Sequence, residues 1–187
     1  MVGDNSERRQ AMPIHDDDVD IDGGIHDCSH HDAPKHIVSR DIVTFSLQCS
    51  WNDEVGHSDN GYFIPDAEQP YPQGIWHFSL KKNENAAAME MHCDAADVHF
   101  QAKVDDTFLM RLQELIEARG IAKLNGHEKW DSAVGELLDL NIAYASGESI
   151  HVYAEGGCST IPEHDWNPLW FLEFFHQFLQ TDGKVSQ

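Results

Sequence analysis

About six short stretches of this chain alternate apolar and polar side chains, and that period of two commits most of it to a sheet with one buried face. In IVTFSLQCSW the apolar set is Val43, Phe45, Leu47 and Cys49. Trp76, Phe78 and Leu80 mark the next stretch, then Met89, Met91 and Cys93, then Val98, Phe100, Ala102 and Val104. Leu138, Leu140, Ile142 and Tyr144 follow later. Ile150, Val152 and Ala154 return from a turn at Ser146-Gly147, which is hairpin chemistry. Short connections make such neighbours antiparallel.

A sheet with one apolar face needs a cover, and two helices are legible. Residues 104–126 hold the first. Asp105 is placed to cap it, Val104 and Leu109 to staple its entry, and Phe108, Leu109, Leu112, Leu115 and Ile116 share one face. Gly120 suits the left-handed residue past its end. The second begins at Asn167-Pro168, a cap followed by a first-turn proline. Its apolar set (Leu169, Trp170, Phe171, Leu172, Phe174, Phe175, Phe178 and Leu179) is wider than one stripe. It is expected to be buried on two sides within the monomer, the alternative being self-association or a protein partner on this aromatic helix.

The expected fold is therefore α+β: an antiparallel sheet of about six strands with both helices on one face and the other face polar. Residues 37–187 form this single domain. Residues 52–74 make a long loop in which Tyr62, Phe63, Ile64 and Tyr71 are expected to pack down over the sheet. Residues 1–36 are expected to be a disordered acidic tail. Asp16, Asp17, Asp18, Asp20, Asp22, Asp27 and Asp32 dominate it, and little apolar surface offsets the entropy of ordering.

Charge excludes some partners. With 12 basic against 33 acidic residues the net charge is −21, which repels phosphate backbones and anionic membrane surfaces. No apolar run is long enough to span a membrane, and the first residues lack the apolar core of a signal peptide. A cytoplasmic location follows as the expectation. Cys28, Cys49, Cys93 and Cys158 are scattered without a CxxC, which fits reduced thiols.

The candidate chemistry is histidine chemistry. Alternation points His77, Glu90, His92, His99 and His151 away from the helices. The turn at residues 94–97 places His92 opposite His99, and an even-length turn near 83–85 places His77 opposite His92. His77, His92 and His99 would then lie in a row at a strand spacing of about 4.8 Å, able to bind zinc or nickel. The plain alternative is that a half-exposed sheet face simply needs polar residues, and a one-residue slip in either turn breaks the row. The tail fragment HDCSHHD offers a second ligand set, His26, Cys28, His30 and His31, in no closed zinc spacing. Ser159, His164 and Asp165 beside Cys158 lack the frame of a nucleophile and read as turn chemistry.

LQELIEARGIAKLNG and LNIAYASGESIHV resemble segments of uncharacterised bacterial proteins of modest size. The resemblance covers roughly the second half of the chain. It implies the same strand, helix, hairpin, helix order and brings no activity and no site residues. The leading expectation is a non-enzymatic binding or interaction domain without an assigned cofactor. Divalent-metal binding through the sheet histidines or the tail comes second. Third is an enzyme, which would need a pocket beneath the 52–74 loop.

Overall fold

The structure is a computed structural model describing residues 24–54, 56–67, 69–83, 86–131, 135–156, 160–161 and 166–182. The fold is α+β. The strands are β1 (His26–Asp27), β2 (Ile42–Trp51), β3 (Gly56–Asp59), β4 (Tyr62–Pro65), β5 (Gly74–Lys82), β6 (Ala87–Cys93), β7 (Val98–Val104), β8 (His127–Trp130), β9 (Glu136–Tyr144) and β10 (Ser149–Gly156). The helices are α1 (Asp106–Ala118) and α2 (Leu169–Asp182).

Eight strands form one sheet in the order β1-β8-β10-β9-β2-β5-β6-β7, while β3 and β4 pair as a separate hairpin inside the long loop. The expected six strands are all present; β1 and β8 are the additions. Both are too short to show alternation, two and four residues. The sheet is also mixed, because β8 runs parallel to β10. β8 and β9 are consecutive in the chain but flank β10 in the sheet. The end of β10 lies close against Asp131: a Cβ on Gly156, at φ +112°, would fall 2.3 Å from Asp131 Oδ1. A side chain there has no room.

A bulge corrects the reading of β2. Ile42 pairs with Tyr144 and Thr44 with Ala143, so Val43 is the extra residue. Ile42 therefore fills the core, fully buried, where alternation assigned Val43.

Inward-facing strand residues and both helices build one cluster. Asp105 caps α1 by accepting from the Phe108 amide at 3.0 Å. Gln113 is buried on α1 and satisfied: the Tyr144 hydroxyl donates to its Oε1 at 3.0 Å, and its Nε2 donates to Glu117. Burial pushes the Tyr144 hydroxyl up to about 12. Asn167 caps α2, accepting from the Leu169 amide at 2.9 Å. The breadth of the α2 apolar set has a direct cause. Phe171 and Phe175 pack on Phe45 and Phe78 of the sheet, while Phe174 and Phe175 meet Phe108 of α1.

Two expectations about coverage change. Of the loop aromatics, Tyr71 is buried, set edge-on to Trp51, Trp76 and His176. Tyr62 is 76% exposed and Ile64 40%, because they belong to the β3–β4 hairpin instead of lying on the sheet.

The tail is the second change. Residues 1–23 lie outside the described residues. From residue 24 onward the chain does not behave as a disordered tail: β1 pairs antiparallel with β8, and the Cys28 and His30 amides donate to Glu128 O and Gly126 O at 2.9 and 2.7 Å. Asn125 donates to Pro34 O, and Glu148 accepts from the Val38 and Ser39 amides. Backbone hydrogen bonding to an open sheet edge replaces the apolar burial that the segment lacks. Gly126, at φ +76°, makes room for it, since a Cβ there would fall 2.5 Å from His30 O and Ala33 Cβ. Gly126→Ala is expected to cost about 1–3 kcal/mol and to release this segment. Amide exchange at Cys28 and His30 accelerating while the core stays protected would be the signature; unchanged exchange there would refute it.

Candidate metal centre

β5, β6 and β7 position the polar row. Lys82 pairs with Ala87 across the turn between β5 and β6, and Cys93 pairs with Val98 across residues 94–97. Those two registers set His77 opposite His92 and His92 opposite His99, as the turn lengths predict. All three side chains stand on the face away from the helices.

Within the row the three histidines are not equivalent. The His77 and His92 rings stack, centroids 4.3 Å apart and 6° from parallel. His99 lies edge-on to His92 at 6.3 Å, and its Nε2 is taken by Glu90 Oε1 at 2.8 Å. That bond, the largest cause, holds the Glu90 carboxyl below its ordinary range.

The third partner of His77 and His92 is Asp94. Its Oδ2 lies 3.0 Å from His77 Nε2 and its Oδ1 3.6 Å from His92 Nε2. The placement is local in origin. Asp94 is the first residue of the β6–β7 turn, and its amide donates to Ile75 O at 3.0 Å, which holds it beside the end of β5. Sequence reasoning missed it because a turn residue belongs to no alternating set. The available signal was spacing: a residue two beyond His92 has the same parity and lies on the same face.

The ligand atoms of His77, His92 and Asp94 all lie within 4.8 Å of one another. Two imidazoles and a carboxylate are an N/O donor set suited to zinc, nickel or ferrous iron, and three protein ligands leave coordination positions open. An imidazole nitrogen that binds an ion must give up its proton. Since the ring planes are nearly parallel, their in-plane lone pairs run side by side. His77, His92 and Asp94 are the residues that would hold such an ion. The side chains are 27, 39 and 52% exposed in that order, so water reaches the site.

The other predicted ligands do not join this group. His26 stacks on Trp130, Cys28 is exposed, and His30 Nε2 lies 3.9 Å from Glu128 Oε2. His31 is exposed on the turn that follows. Binding of this strip to the sheet edge spaces these four along it, and among the described residues they form no ligand cluster. His151 is occupied by Asn141 Oδ1 at 2.6 Å, on β10 at a distance from the row. Cys49 and Cys93 are buried free thiols, and burial pushes the Cys49 thiol up, away from reactivity. Cys158, Ser159, His164 and Asp165 lie outside the described residues. Grooves lie on the polar sheet face and beside residues 35–40.

Comparison of the chain with protein-family models, curated proteins and solved structures finds no match. Among the described residues no helix is long and apolar enough to cross a membrane.

Proposed function

We propose that the protein binds one divalent transition-metal ion, zinc or nickel, through His77, His92 and Asp94. The observation that carries this is the convergence of three ligand atoms of the right chemistry within 4.8 Å on the water-exposed sheet face. The site sits on hydrogen-bonded strands and a fixed turn, so little conformational entropy is lost when the ion enters. The interaction-domain reading has less support. The aromatic surface of α2 on which it relied is largely used inside the monomer, where Phe171, Leu172 and Phe175 are buried. A net charge of −21 favours cation binding over nucleic acid or anionic membranes and suits a cytoplasmic location.

The test is a zinc titration by calorimetry on the untagged full chain. One ion per chain is expected, with affinity reduced about 10–100-fold or more in His92→Ala. Wild-type protein that takes up no zinc and no nickel, or a variant that binds as well as wild type, overturns the reading.

A further inference from the structure

Beyond the histidine row, the polar face carries a feature that the metal ligands leave unused. Across β2, β5, β6 and β7 the next outward row is Ser46, Ser79, Glu90 and Gln101, and the one after it is Thr44, Lys81, Ala88 and Lys103. These two rows line an open groove of about 710 Å³. A smaller groove of about 280 Å³, whose lining includes Ser46, Ser79, Glu90, Asp139, His77 and His92, continues it to the metal ligands.

Lys81 and Lys103 both pair with Ala88, from opposite sides. Their backbones therefore stand about 10 Å apart with one methyl group between them. Neither lysine has an ion pair among the described residues. That is notable in a chain of net charge −21, where Lys82, Lys129 and Arg40 each meet a carboxylate. Ammonium groups carried on either side of one alanine repel, and an acidic group held by both removes that repulsion. His77 and Lys81 are four residues apart on one strand, about 13 Å.

We infer that this groove binds an elongated organic anion with an acidic group at each end. One carboxylate lies between Lys81 and Lys103. The other completes the coordination of the ion at His77, His92 and Asp94, so the metal end rests on the function proposed above and the lysine end stands without it. Ser46 and Ser79 provide hydroxyls along the floor. Glu90 borders the path with its charge engaged by His99. The open coordination positions of a three-ligand site give the far carboxylate its place.

The experiment is an NMR titration of the untagged full chain with azelate, a linear dicarboxylate, with and without one equivalent of zinc. Shifts at the amides of Ser79, Ala88 and Gln101 are expected. Lys81→Gln with Lys103→Gln weakens binding about tenfold or more, while the double arginine variant retains it. Zinc tightens azelate binding about tenfold in the wild type, and Asp94→Ala removes that gain but leaves the lysine-dependent part. Spectra unchanged elsewhere establish that the variants keep the fold. Zinc binding without groove shifts, or azelate affinity indifferent to the lysines, overturns the inference and leaves the metal site standing. Lysine-dependent binding with zinc bound and no gain from it overturns the bridging geometry. Lysine-dependent binding in a protein that takes up no zinc supports the anion site and removes the metal one.

Discussion

Phe175→Ala is expected to destabilise the protein by about 3–5 kcal/mol. Phe175 is fully buried and stands where the sheet, α1 and α2 meet. Its ring lies 4.6 Å from Phe78, 5.8 Å from Phe45, 5.7 Å from Phe108 and 5.4 Å from Phe174. Alanine leaves a cavity lined by the sheet, α1 and α2, and rigid aromatic neighbours collapse poorly into it. Urea unfolding should show a lower midpoint with an unchanged slope. The thermal midpoint should fall by about 6–20 °C for a chain of this size. Trp170→Ala on the same helix is the control. Trp170 is only partly buried and stacks under Arg119 at 4.8 Å, so its loss should cost about 1 kcal/mol. Equal effects at 170 and 175 would show that α2 does not dock on the sheet by its Phe175 side.

Asp94→Ala is expected to weaken zinc binding by about 100-fold or more, and His99→Ala by less than about fivefold. The contrast follows from geometry. Asp94 supplies a charged oxygen beside both ring nitrogens of the stacked pair. Its removal takes away a ligand and leaves two imidazoles that do not converge on their own. His99 is in the same row but holds Glu90, and its ring stands apart from His92. A large loss at 99 with little at 94 would restore the three-histidine row as the ligand set and remove Asp94 from it.

Most of the sheet was legible because each long strand has one buried face and a period of two makes that face visible in sequence. The register of β5, β6 and β7 was legible for a related reason: even-length turns leave the alternation in phase, so His77, His92 and His99 fall opposite one another. What was not legible has local causes. β1 and β8 are held by backbone hydrogen bonds to an edge, and backbone pairing leaves no side-chain signature in two to four residues. The same applies to residues 24–36, whose composition suggests disorder while β1 pairs with β8, the Cys28 and His30 amides donate to Glu128 O and Gly126 O, and Asn125 donates to Pro34 O. The bulge at Val43 shifts one residue in a run that otherwise alternates cleanly. In the site, the choice between His99 and Asp94 depends on side-chain partners. Glu90 claims His99, and a turn bond to Ile75 delivers Asp94. Neither is encoded by alternation.

The most direct measurement of the metal ligands is zinc-edge X-ray absorption on the full-length, untagged protein loaded with one equivalent. Binding by His77, His92 and Asp94 predicts a first shell of nitrogen and oxygen alone at about 2.0–2.2 Å, with two imidazoles, and its loss in Asp94→Ala. A sulfur scatterer at about 2.3 Å would place the ion on Cys28 and its neighbouring histidines instead, and would contradict the sheet-face site.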